Sequence, residues 1–118
     1  MKLDEFFCCV GGDYGEAKAR FQNDERIVRF LNMFPGDDSM QNLKNAMNAG
    51  DTTTAFRAVH TLKGVALNLG LGSLAHASSQ MTEALRGQDK LPESVQPLYE
   101  AVQKEYVAVC GALEQLEK

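Results

Sequence analysis

The chain has 118 residues, 44% of them hydrophobic, and a formal net charge of −4. That length and apolar share suit a single folded domain with a real core and exclude a disordered chain. The acidic balance, with no basic stripe, argues against nucleic acid as a partner, and no apolar run approaches the roughly 18–20 residues that a membrane span needs.

The N-terminal Met1-Lys2-Leu3-Asp4-Glu5 is followed by only a short apolar run, Phe6 to Val10. A secretory signal needs a longer apolar stretch and a basic start, so a cytoplasmic location and no membrane partner are expected. Cys8 and Cys9 are adjacent and Cys110 is far away. An odd count without Cys-x-x-Cys fits neither a disulfide framework nor a zinc site, and buried helix thiols are the expected reading.

Taken in order, Leu3, Phe6, Phe7 and Val10 recur at helical spacing, and Gly11-Gly12 stops that short helix. Asp13 with Glu16 reads as a capping box for a helix carrying Tyr14, Ala17 and Phe21 on one side. Asn23 or Asp24 caps the next, whose apolar face is Ile27, Phe30, Leu31 and Phe34. Pro35-Gly36 ends it. A helix then starts at Asp38 or Ser39 with Met40, Leu43, Ala46 and Met47 inward, and Gly50 closes it. The methionines, Met33 among them, read as core fillers.

Asp51 caps a helix that runs to Gly70. On a wheel of about 100° per residue, Ala55, Ala58, Val59, Leu62, Val65, Ala66 and Leu69 share one arc, and Arg57, Thr61, Gly64 and Asn68 lie opposite. His60 sits at the border, flanked by Phe56 and Leu67, with Lys63 and Gly64 one turn on. A glycine here weakens the helix by roughly 1 kcal/mol relative to alanine. Close approach of another molecule to the histidine is the simplest reason for it.

The next helix spans about 71–87, with Leu71, Leu74, Ser78, Met81 and Leu85 inward and Arg86 suited to the helix dipole. His76 lies on its far side and reads as a solvated residue. The last helix spans about 94–117, with Pro97 in its first turn and a seam of Val95, Leu98, Val102, Tyr106, Val109, Leu113 and Leu116; Glu114 and Glu117 read as a solvated face. No segment reads as a strand. Short loops between amphipathic helices predict an all-α, antiparallel four-helix bundle, core about 38–117, with additional N-terminal helices over about 3–34, all in one domain over 1–118.

His60-Thr61-Leu62-Lys63-Gly64, then four residues and Leu69-Gly70, with Ala49-Gly50-Asp51 upstream, resembles the signature of histidine-containing phosphotransfer (HPt) domains over about residues 13 to 117. The resemblance implies a standalone, bacterial-type phosphorelay module acting as a monomer. His60 is then the phosphoacceptor. It takes a phosphoryl group from the aspartyl phosphate of a receiver domain and passes it to another, the receivers belonging to response regulators and hybrid histidine kinases. An imidazole is nucleophilic when neutral, and covalent relay splits one transfer into two steps. Lys63 supplies a flexible cation for the phosphoryl charge. Gly64 gives the partner access, and Arg57 assists or steers it. In the family a polar residue on the following helix orients the imidazole; that slot falls near Thr82, with Ser78, Ser79 and Gln80 close by.

The chain carries no Gly-rich phosphate loop and no carboxylate beside His60 on its helix. The expectation is a transfer intermediate without ATP binding, autonomous kinase activity or a cofactor of its own, with Mg²⁺ supplied by the receiver. Two other readings stand beside it. One is a non-catalytic helical domain that docks receiver or kinase domains without transfer. The other is a metal-binding bundle using His60 and His76, which lacks further ligands at sensible spacing.

Overall fold

The structure, a computed structural model, describes residues 1–116. Among these residues the chain forms α1 (Leu3–Cys9), α2 (Tyr14–Phe21), α3 (Asp24–Met33), a 3₁₀ turn (Phe34–Gly36), α4 (Ser39–Ala49), α5 (Thr52–Leu69), α6 (Gly72–Leu85) and α7 (Val95–Glu114), and no strand. The last helix, expected to run to 117, ends at Glu114, with Gln115 capping it and Leu116 beyond it; Glu117 lies outside the described residues. No described helix is long and apolar enough to cross a membrane.

Helices α4 to α7 make an antiparallel bundle in which α4 packs on α5, α5 on α6 and α6 on α7. The connections explain the direction changes. Gly50 and Gly70 end α4 and α5 in the left-handed conformation, at φ +68° and +75°, where a side chain is disfavoured. Each lets the chain reverse within two residues. Asp51 then starts α5, its carboxylate accepting the Thr54 N–H at 3.1 Å. Leu43, Val59, Leu62, Leu74, Met81, Leu85 and Val102 fill the centre and are fully or almost fully buried.

The N-terminal helices cover the end of the bundle where α5 stops. Gly11 and Gly12 lie backbone to backbone against the α5–α6 turn: a Cβ on Gly12 would overlap the Gly70 carbonyl, and one on Gly72 would overlap the Gly11 carbonyl. The Ser73 N–H donates to the Val10 carbonyl at 2.9 Å. Arg20 of α2 donates to the Leu67 and Asn68 carbonyls at 2.8 and 2.7 Å. Both carbonyls lie in the last turn of α5, where a cation is favoured, and the Leu67 carbonyl also accepts the Gly70 N–H at 3.3 Å. Phe6 and Phe7 meet edge to face at 5.3 Å between centroids and are buried.

Several expectations need correction. Cys8 and Cys9 are exposed, because α1 is only two turns long and Phe6, Phe7 and Val10 take its buried side. Met33 is 62% exposed, lying off the face that Ile27, Leu31 and Phe34 turn inward; Met40 and Met81 are core residues. The Asp13 cap accepts from Glu16 N–H at 3.2 Å, but the return bond that would complete a box does not form. At the start of α4 it is Asp37 that accepts the Ser39 N–H, at 2.9 Å. Tyr99, outside the predicted seam of α7, is buried, and burial pushes its phenol above the usual range.

Candidate functional site

His60 is exposed on the outer face of α5, between the flank that meets α6 and the flank that meets α4. On the helical wheel Phe56, Lys63 and Leu67 fall on one side of it, and Arg57, Thr61 and Gly64 on the other. Contacts across the bundle show that the first side faces α6 and the second α4.

On the α6 side the Phe56 ring stacks on the imidazole, with centroids 6.0 Å apart and planes 10° from parallel. The Arg86 guanidinium lies 5.3 Å from the centroid of the same phenyl ring. Arg86 is held in turn by Glu83 through two bonds, Nη2 to Oε1 at 3.0 Å and Nε to Oε2 at 3.1 Å. The hydrogen bond and charge of Arg86 hold the Glu83 carboxyl below the usual range, with smaller contributions from Lys63 and His60. Lys63 itself is half-buried against the bundle.

On the α4 side a shallow groove between α4 and α5 is lined by Asn42, Asn45 and Ala46 from α4 and by Thr54, Arg57, Ala58 and Thr61 from α5, and His60 lies outside it. Arg57 is exposed, and its carbonyl accepts the Thr61 hydroxyl at 2.9 Å. Gly64 is exposed and does not have positive φ. A Cβ added there meets nothing within 4 Å, so nothing inside the chain requires a glycine at this position.

The structure therefore brings His60, Lys63, Gly64 and Arg57 to one surface. It does not bring Thr82 there. Thr82 is fully buried, and its hydroxyl donates to the Ser78 carbonyl at 2.7 Å. Ser78 and Thr82 belong to the row that α6 turns into the core, so that hydroxyl is satisfied within its own helix. Among the described residues no side chain hydrogen-bonds the imidazole; its side-chain partner is Phe56. Sequence reasoning placed Phe56 beside His60 but missed Glu83 and Arg86. Their i, i+3 spacing signals an ion pair, not that it faces α5.

His76 is exposed on α6 beside Ser73, Gln80 and Glu105, away from this face. Among the described residues no group of three or more His, Cys, Asp or Glu side chains is placed to hold a metal ion.

A family model described as the Hpt domain matches residues 35–118. The match starts later than the resemblance legible in the sequence, and leaves α1 to α3 outside it. Neither a curated protein nor a solved structure matches the chain. The family match takes in all four bundle helices and the exposed histidine of α5 with its lysine and glycine: the chain belongs to the Hpt domain family, the histidine phosphotransfer modules of phosphorelay signalling.

Proposed function

We propose that the protein is a phosphoryl carrier between receiver domains, with His60 as the phosphoacceptor. The observation that carries this reading is the exposed imidazole beside Gly64, whose missing side chain no internal contact explains. In the forward step the Nε2 lone pair attacks phosphorus. A P–N bond forms as the P–O bond to the receiver's aspartate breaks, the carboxylate leaves with the bonding pair, and the Nδ1 proton passes to water. The reverse sequence at a second receiver discharges the histidine.

Lys63 sits one turn along the helix and offers a cation to the phosphoryl oxygens. Arg57 borders the groove on the other flank and is placed to meet an acidic receiver edge. The Mg²⁺ and the acidic pocket that phosphoryl transfer requires come from the receiver, so the carrier needs no metal or nucleotide of its own. We further propose that it acts as a monomer.

The test is a reconstituted relay. A receiver phosphorylated on aspartate is mixed with the protein and Mg²⁺, the protein is re-isolated, and a second receiver is added. Labelled phosphate reaching the second receiver through the wild-type protein but not through His60→Gln supports the carrier. Binding of both receivers without transfer would support the docking-only alternative.

A further inference from the structure

We infer that Phe56 is a positioning residue for His60, and that the Glu83–Arg86 pair at the C-terminal end of α6 fixes Phe56 in turn. The inference rests on the carrier reading above and adds what aims the nucleophile. A histidine that transfers phosphoryl groups must present its ring nitrogen along a narrow line of attack, since misplacement on the ångström scale is costly in rate. In this protein no hydrogen bond does that aiming among the described residues, and Thr82 is turned into the core.

What meets the imidazole is an aromatic face. The 6.0 Å separation and 10° angle lie in the range that offset-stacked rings prefer. Phe56 is four residues before His60, so the two rings stand one above the other on the helix surface. Phe56 is itself half-buried and packed on the core, which limits its own freedom. The Arg86 cation lies against its ring, an attraction that adds to the packing. The planar guanidinium is clamped by two bonds to Glu83, a geometry that resists rotation.

The result is a chain of contacts from α6 to the imidazole: carboxylate, guanidinium, phenyl, imidazole. It fixes the plane of the ring while leaving the edge that carries both nitrogens free of hydrogen bonds.

The test compares Phe56→Leu, Phe56→Tyr and Arg86→Gln with wild type. Three readouts are taken: melting temperature, the three-bond couplings that report the His60 side-chain rotamer, and phosphorylation rates from a phosphorylated receiver and from phosphoramidate. We expect Phe56→Leu to average the couplings over several rotamers and slow both donors about tenfold with little change in melting. Phe56→Tyr should restore a single rotamer and most of the rate, and Arg86→Gln should show a smaller loss, near threefold. Wild-type couplings and rates in Phe56→Leu overturn the inference. So does a loss confined to the receiver donor, which would make Phe56 a docking residue only. Should Phe56→Leu fail to fold, the exposed Arg86→Gln decides, and an unchanged rotamer there refutes the chain of contacts. If wild type accepts phosphate from neither donor, the carrier reading fails, while the couplings still show whether Phe56 holds the ring.

Discussion

Replacing Gly64 with alanine separates folding from function more cleanly than any other single change. Glycine inside a helix is less favourable than alanine by roughly 0.5–1 kcal/mol. At Gly64 that preference is unopposed, because the new methyl meets nothing within 4 Å and the backbone is not left-handed. Gly64→Ala is therefore expected to stabilise the fold. With an unfolding entropy of about 0.25 kcal/mol/K for a chain of this length, the melting temperature should rise by 2–4 °C. Receiver-dependent phosphorylation should fall about tenfold, since the methyl stands on the surface that the receiver must approach, equivalent to ~1.4 kcal/mol in the barrier. Phosphoramidate, small enough to avoid the methyl, should still react. Thermal unfolding by circular dichroism and timed transfer from a phosphorylated receiver measure the two sides. A variant that is more stable and transfers at the wild-type rate would refute partner access as the reason for the glycine. A less stable variant would show that an internal constraint on Gly64 had been overlooked.

Other changes probe separate parts of the account. Lys63→Ala should slow transfer about tenfold or more while shifting stability by no more than about 0.5 kcal/mol, checked by the same two assays. Gly72→Ala should do the opposite. Its Cβ overlaps the Gly11 backbone, so overpacking should cost about 1–3 kcal/mol and lower the melting temperature without altering His60 chemistry once folded. Acid sensitivity should include the Asp51 cap. The Thr54 hydroxyl and then the Thr54 N–H hold the Asp51 carboxyl below its usual 3.8. Its stabilisation is therefore present above pH 3.8 and is lost as pH falls through the lower folded value. Asp51→Asn keeps a capping oxygen that does not titrate, and should flatten the melting-temperature curve below pH 4.

The bundle was legible because each helix carries its own period and its own stop. The stripe from Ala55 to Leu69 and the left-handed glycines at Gly50 and Gly70 mark α4 and α5 from the sequence alone. His60, Lys63 and Gly64 were legible as a group because helical spacing alone puts them on one surface. Long-range placement was not. Gly11 and Gly12 read only as a helix stop, yet they are where two turns touch backbone to backbone, a contact between segments some sixty residues apart. Cys8 and Cys9 were misplaced because burial in a two-turn helix depends on which side faces the bundle. Thr82 lies in α6 and Arg86 caps its end, and only the packing of α6 against α5 decides that the hydroxyl is buried and the guanidinium reaches Phe56.

The most direct test of the central claim is to locate the phosphate itself. The protein is incubated with an aspartyl-phosphorylated receiver and Mg²⁺, digested at neutral pH and sequenced by mass spectrometry without acid. The account predicts one acid-labile phosphate, on the peptide that holds His60, at the imidazole and absent from His60→Gln. A phosphate on His76 or on a hydroxyl side chain, or its persistence in His60→Gln, would contradict it.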